Sequence, residues 1–247
     1  MKNFCLAIGT ILLVTTTANA QYYVSPSFGL NFPIQHVSQK TDNGKYIQTP
    51  YSVGRNLALH IGKRINKWEI ETGIDYSEFM LYTQFYVKRP DICPKCDMGS
   101  YSGNGFVSWS IPIFLNRVWC HKKWQYGLGT GGAILNYNTA KPSTRGWAGD
   151  DYTFALIKSQ NYNGWKPSLL VGTNLQYMLN KHHQFNLGLF YNYGLSQIMR
   201  LEYRLDLHYN GVNETYFYKT SYKGDYIGLR LSYRYLFNFK QQGKSDK

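Results

Sequence analysis

Alternating apolar and polar residues run through most of this chain, and the alternation is clearest near its end. Between residues 227 and 239, large apolar or aromatic side chains occupy every second position, and five of the six positions between them hold Gly228, Arg230, Ser232, Arg234 and Asn238. A β-strand directs successive side chains to opposite faces, so this segment predicts a strand with one apolar and one polar face.

Seven earlier segments repeat this pattern, at residues 24–32, 53–62, 68–76, 107–116, 124–131, 169–179 and 185–196. Trp and Tyr lie toward the ends of their apolar faces, as in the aromatic girdles of membrane barrels. The connections are short near residues 66, 120 and 181 and long around 31–50, 88–105, 137–166 and 198–224. The sequence therefore predicts an all-β, eight-stranded antiparallel up-and-down transmembrane β-barrel, rather than a soluble barrel with an apolar interior.

Two prolines fall inside predicted strands. Pro26 and Pro112 lack the N–H group that each strand of a closed barrel contributes to the sheet. We therefore expect a β-bulge at each of them.

The first twenty residues have the features of a cleaved export signal. Lys2 is followed by an apolar run at 4–14, and Ala18-Asn19-Ala20 forms a small-residue cleavage site. We expect a signal peptide at 1–20, a barrel domain at 21–239 and a polar tail at 240–247. Later apolar segments are interrupted at alternate positions, so we expect strands to cross the bacterial outer membrane.

The chain carries a formal net charge of +13. In a soluble protein this excess would suggest nucleic acid, but an exported protein does not encounter it. The expected partners are outer-membrane lipid and lipopolysaccharide, with envelope or secretion proteins as further candidates and no nucleic acid.

Charged residues on the polar faces form the main candidate site. Glu69, Glu71 and Asp75 share the inward face of one strand, and two carboxylates in a cleft can act as an acid and base pair. Charges in a closed interior must pair or lose their charge. We therefore expect a lumenal charge network, which comprises His60, Glu69, Glu71, Asp75, Arg230 and Arg234. A turn from Arg64 to Lys67 would place His60 opposite Glu71.

Three cysteines remain after the predicted cleavage. Cys93 and Cys96 form a CxxC motif in the second long connection, which can be a local disulfide, a redox pair or half of a zinc site. We expect the disulfide, with Cys120 left as a thiol in a short turn on the opposite side of the membrane. We expect no metal and no cofactor.

One short motif carries a family resemblance. The segment 110–115, Ser-Ile-Pro-Ile-Phe-Leu, resembles a strand close to "-IP-L-" in the outer-membrane β-barrel family that includes PorT-like proteins. The resemblance implies a barrel in the outer membrane. PorT itself looks like an accessory of a protein-secretion system.

These observations predict a non-enzymatic outer-membrane barrel that presents four long external loops for structural or binding roles. One alternative is a PorT-like accessory of protein secretion or envelope assembly. A third class is a membrane-embedded lipid-modifying enzyme, for which His208 and the loop serines are the candidate residues.

Overall fold

Fourteen β-strands form the regular structure of the described residues. The computed structural model describes residues 20–37, 45–48, 52–88, 97–139, 147–149, 152–209 and 212–237. Among these, no helix is long and apolar enough to cross a membrane. The strands are β1 (Gln21–Pro33), β2 (His36–Val37), β3 (Lys45–Gln48), β4 (Gly54–Ile65), β5 (Trp68–Lys88), β6 (Asp97–His121), β7 (Trp124–Thr139), β8 (Trp147–Gly149), β9 (Tyr152–Asn161), β10 (Gly164–Met178), β11 (His183–Gly194), β12 (Met199–Tyr209), β13 (Val212–Tyr222) and β14 (Tyr226–Phe237).

Eight of these strands close into an antiparallel barrel. Their order is β5-β4-β1-β14-β11-β10-β7-β6, and β6 pairs back with β5 to complete the ring. Strands β1 and β14, the first and last in the chain, pair from Tyr22 opposite Phe237 to Pro33 opposite Tyr226. The chain is therefore the all-β up-and-down barrel that the alternation predicts.

The two faces of each barrel strand are those expected from the sequence. Leu57, Leu128 and Leu231 lie on three separate strands and are 55, 59 and 57% exposed on the outside of the ring. Their inward neighbours Asn56 and Ser232 are buried. A period of two assigns every second residue to the same side, so identifying one face identifies both.

The prolines do not produce the expected bulges. Pairing between β1 and β14 stops beside Pro26 and resumes in the same register. Pairing between β5 and β6 stops beside Pro112 and also resumes unchanged. Beside the second gap, the Thr72 hydroxyl donates to the Pro112 carbonyl oxygen at 2.7 Å. The expectation was wrong because the sheet tolerates a local interruption of backbone pairing without inserting an extra residue.

Much of the sequence assigned to long loops is strand. β5 extends to Lys88, β6 begins at Asp97, and a second sheet has the order β2-β13-β12-β9-β8. On β12, the alternating side chains of Leu201, Tyr203 and Leu205 are fully buried. The region 198–224, which was predicted as a long loop, thus carries the same period of two as the barrel strands and is largely strand.

The second sheet, which we call the cap sheet, packs against the barrel end opposite the short turns. The Phe106 ring, on the inner face of β6, lies 5.0 Å from the Phe79 ring and 5.3 Å from the Tyr222 ring of β13. Leu201 and Tyr203 of β12 belong to the same buried apolar cluster. One continuous apolar core therefore joins the cap sheet to the barrel.

Candidate functional site in the barrel lumen

The six predicted charged residues lie on three strands of the barrel wall and face one another in the lumen. His60 lies on β4, the three carboxylates lie on β5, and Arg230 and Arg234 lie on β14. Strand β1 separates β14 from β4, and its residue opposite Arg230 is Gly29. Because that position has no side chain, it leaves space for the guanidinium to reach toward β5.

Arg234 is at the centre of the network. Its Nη1 donates to Glu69 Oε2 at 3.1 Å, and its Nη2 donates to Glu71 Oε2 at 2.8 Å. The guanidinium carbon lies 4.4 Å from the centroid of the Tyr23 ring, and the Tyr23 hydroxyl donates to Glu71 at 2.9 Å. The Arg234 side chain is only 2% exposed, so its charge depends on these neighbours for stabilisation.

A second group of charges continues the network toward the cap sheet. Arg230 Nη2 donates to Asp75 Oδ2 at 2.8 Å. His60 links the two groups, since its Nε2 lies 2.5 Å from Asp75 Oδ1 and its Nδ1 lies 3.0 Å from Glu71 Oε1. The network is thus continuous from Glu69 to Arg230.

Arg64 also belongs to this network, although sequence reasoning assigned it to a turn. The tight turn contains Asn66 and Lys67, and Arg64 pairs directly with Glu69 across β4 and β5. The Arg64 guanidinium donates to Glu69 and also to Gln176 Oε1 at 2.9 Å. The signal was present, because Arg64 has the same parity as His60.

The shorter turn also changes the expected register. His60 is opposite Gly73, not opposite Glu71 as a turn starting at residue 64 would require. It nevertheless reaches Glu71 and Asp75, which lie two residues to either side of Gly73 on the same inward face.

Buried amides continue the polar interior toward the short turns. Gln176 Nε2 donates to Glu69 Oε2 at 3.1 Å, and Gln184 Nε2 donates to the Gln125 and Gln176 side-chain oxygens at 3.0 and 2.7 Å. These glutamines come from three consecutive strands of the ring, β7, β10 and β11. They fill the lumen between the charge network and the short turns.

The lumen is organised as a filled plug. Its three arginines, Arg64, Arg230 and Arg234, balance three carboxylates, Glu69, Glu71 and Asp75, and each carboxylate contacts at least one arginine. The cavity beside them has a volume of about 60 Å³, far below that of an ordinary small-molecule site. Within the part of the chain that the structure describes, no cluster of His, Cys, Asp or Glu could hold a metal ion.

The predicted cysteine pair lies outside the described residues. Cys93 and Cys96 both fall in the gap between residues 88 and 97. Cys120 is a free, exposed cysteine at the end of β6, beside the short turn that contains Lys122.

Close packing of Phe190 inside the barrel leads to a stability prediction. A Cβ atom on Gly228 would lie 2.2 Å from Phe190 Cζ, whereas one on Gly188 would have no neighbour closer than 3.9 Å. We expect Gly228→Ala to destabilise the barrel by about 1–3 kcal/mol because the ring must move. The matched Gly188→Ala should be neutral or stabilising by about 0.5 kcal/mol. Denaturant unfolding in detergent measures both, and equal effects would contradict this packing.

Comparison with known proteins identifies similar folds only. No protein-family model and no curated protein matches this sequence. Among solved structures, outer membrane protein OprG from Pseudomonas aeruginosa shares 15% identity, over 89% of this chain and 97% of that one, with a TM-score of 0.47. Neisserial surface protein A (NspA) shares 16% identity, over 89% and 99%, also at 0.47. Outer membrane protease OmpT from Escherichia coli shares 9% identity, over 90% and 98%, at 0.37. These likenesses are too distant to indicate an activity.

Proposed function

We propose that this chain is a non-enzymatic protein of the bacterial outer membrane, whose plugged barrel anchors the cap sheet outside the cell for structural or binding contacts. The observation that carries this proposal is the distribution of side chains, which is apolar outside the barrel and polar inside it. Apolar side chains such as Leu59, Val171 and Leu189 are exposed on the outside, while the ion pairs are buried inside. A water-soluble barrel has the opposite arrangement.

The exposed apolar surface surrounds the ring. Leu57 of β4, Leu115 of β6, Leu187 of β11 and Leu231 of β14 are all at least 41% exposed. A continuous apolar surface of this extent requires a nonaqueous partner, and hydrocarbon matches its even distribution around the ring. The filled lumen supports an anchor rather than a channel.

The cap sheet has a polar outer face suited to adaptable contacts. Arg204 and Asp206 form an exposed ion pair at 2.9 Å, and the exposed Phe217 lies opposite Arg204 on β13. A hydrogen bond from the Thr215 hydroxyl, with help from Arg204, holds the pKa of Asp206 below its usual value. Mixed charge with an exposed aromatic ring fits contact with lipopolysaccharide or an envelope protein.

The enzymatic alternative has less support. His208 Nδ1 lies 2.9 Å from Asn213 Oδ1, and the nearby Thr215 hydroxyl donates to Asp206 at 2.6 Å. His208, the candidate base, has an amide oxygen and not a serine hydroxyl as its hydrogen-bond partner, so the described residues do not show the serine–histidine pair that this alternative needs. A PorT-like role in secretion or assembly stays a hypothesis based on the segment 110–115.

Cysteine labelling tests the proposed orientation, in which the cap sheet lies outside the cell. Cys120 lies beside a short turn, which we expect to face the periplasm. We expect Cys93 and Cys96, which fall between β5 and β6 in the sequence, to lie on the opposite side. In intact, reduced cells, an impermeant maleimide should modify Cys93 and Cys96 and leave Cys120 unmodified. Permeabilising the outer membrane should then expose Cys120.

Two variants control for accessibility. The Cys93→Ser, Cys96→Ser double variant should be unlabelled in intact cells and labelled after permeabilisation. Adding Lys158→Cys, at an exposed position of the cap sheet, should restore labelling in intact cells. Modification of Cys120 before permeabilisation would contradict the proposed sidedness.

A further inference from the structure

The end of the barrel with the short turns has a strong excess of outward cations. We call this region the turn-side rim, and its cations, all at least partly exposed, are Lys67, Arg117, Lys122, Lys123 and Lys181. The nearest acidic residues, Glu69 and Glu71, point into the lumen and are paired there. Within the described ranges, no carboxylate faces outward at this rim.

Arg117 is held between two tryptophans at the rim. It pairs directly with Trp68 across β5 and β6, and its guanidinium carbon lies 5.3 Å from the Trp68 ring centroid and 5.9 Å from the Trp119 ring centroid. Both rings are nearly half exposed. A guanidinium beside aromatic rings keeps its charge and retains N–H donors for an external oxyanion.

The opposite rim, at the end of the barrel beside the cap sheet, has an outward arginine with a different neighbour. Arg55 is also an outward arginine on a barrel strand, but its partner across β4 and β5 is Glu78. That arginine therefore has a carboxylate beside it, whereas Arg117 has an indole ring. The two rims therefore differ in the residue that lies directly across from the outward arginine.

We propose that the turn-side rim, centred on Arg117, binds the phosphate of anionic phospholipid headgroups in the membrane leaflet next to the short turns. This inference rests on the proposed membrane barrel. Tryptophan favours the depth at which headgroups meet hydrocarbon, so Trp68 and Trp119 hold Arg117 at the level of the lipid phosphates. Lys67 and Lys122 are exposed at the same rim and add long-range attraction.

Native mass spectrometry can measure this selectivity on the refolded chain without its predicted signal peptide. The protein in detergent is titrated separately with phosphatidylglycerol and with phosphatidylethanolamine. We expect wild type to prefer phosphatidylglycerol and Arg117→Gln to weaken its binding about fivefold, as expected for one basic residue at a membrane surface. Arg117→Lys should retain most of the binding because it retains the charge.

The control is Arg55→Gln, which removes the same charge from the other rim and should leave phosphatidylglycerol binding unchanged.

Heat-modifiable gel mobility shows in parallel whether each variant forms the barrel. If wild type has no heat-modifiable mobility, the membrane barrel and this inference are overturned together. In a folded barrel, equal binding of the two lipids, an unchanged Arg117→Gln, or an equal loss in Arg55→Gln overturns the lipid site alone. Displacement of the lipid by excess inorganic phosphate would identify a free-phosphate site instead.

Discussion

Replacing Arg234 with methionine is expected to destabilise the barrel by about 3–5 kcal/mol. The side chain contacts Glu69 and Glu71 at 3.1 and 2.8 Å, and all three groups are buried. Without the guanidinium, three carboxylates in the lumen share two arginines, and the uncompensated charge remains away from water. Denaturant unfolding of the refolded protein in detergent, followed by heat-modifiable mobility, measures the loss.

The double variant separates pairing from simple truncation. Glu71→Gln alone leaves three arginines with two carboxylates, whereas Glu71→Gln combined with Arg234→Met restores equal numbers. We therefore expect the double variant to be less destabilised than the sum of the single variants, by at least about 1 kcal/mol. Strict additivity would mean that Glu71 and Arg234 are not coupled.

An exposed ion pair serves as the matched control for this cycle. Arg204 pairs with Asp206 at 2.9 Å on the cap sheet, and its side chain is 50% exposed. Arg204→Met should cost less than about 1 kcal/mol, because water solvates the remaining carboxylate. A loss as large as that of Arg234→Met would show that burial is not the source of the effect.

Leu231→Arg is expected to destabilise the membrane-inserted protein by about 2–4 kcal/mol, since it places a charge on the lipid face of β14. Leu231 is 57% exposed and lies opposite Phe28 and Leu187 on the neighbouring strands. In a water-soluble barrel, an arginine at such an exposed position would be nearly neutral. Refolding into phospholipid vesicles, followed by denaturant titration, tests the difference.

Phe217→Arg is the matched control because Phe217 is 54% exposed on the cap sheet, outside the lipid belt. Its effect should stay within about 0.5 kcal/mol of wild type. On the inner face, Ser232→Ala should cost about 1 kcal/mol, since Asn186 Nδ2 donates to the Ser232 hydroxyl at 3.0 Å. Similar effects of Leu231→Arg and Phe217→Arg would contradict the lipid belt.

The alternation of residue types was sufficient to predict the barrel strands and their two faces. Leu229 and Leu231 point outward and Arg230 points inward, as a period of two requires. The same rule places Glu69, Glu71 and Asp75 on the inner face, because each differs from the next by an even number of residues. Face and parity are local properties of a strand, so the sequence by itself determined them.

Pairing partners and the cap sheet were decided only by the tertiary structure. Whether Arg234 contacts Glu71 depends on the stagger between strands far apart in sequence, and Arg64 entered the network only because the tight turn begins at Asn66. Residues 198–224, which were predicted as a long connection, alternate as strands do, but alternation alone does not identify the surface that buries them. Leu201 and Tyr203 are buried because they belong to one apolar cluster with Phe79 and Phe106 of the barrel, and these residues are far apart in the sequence.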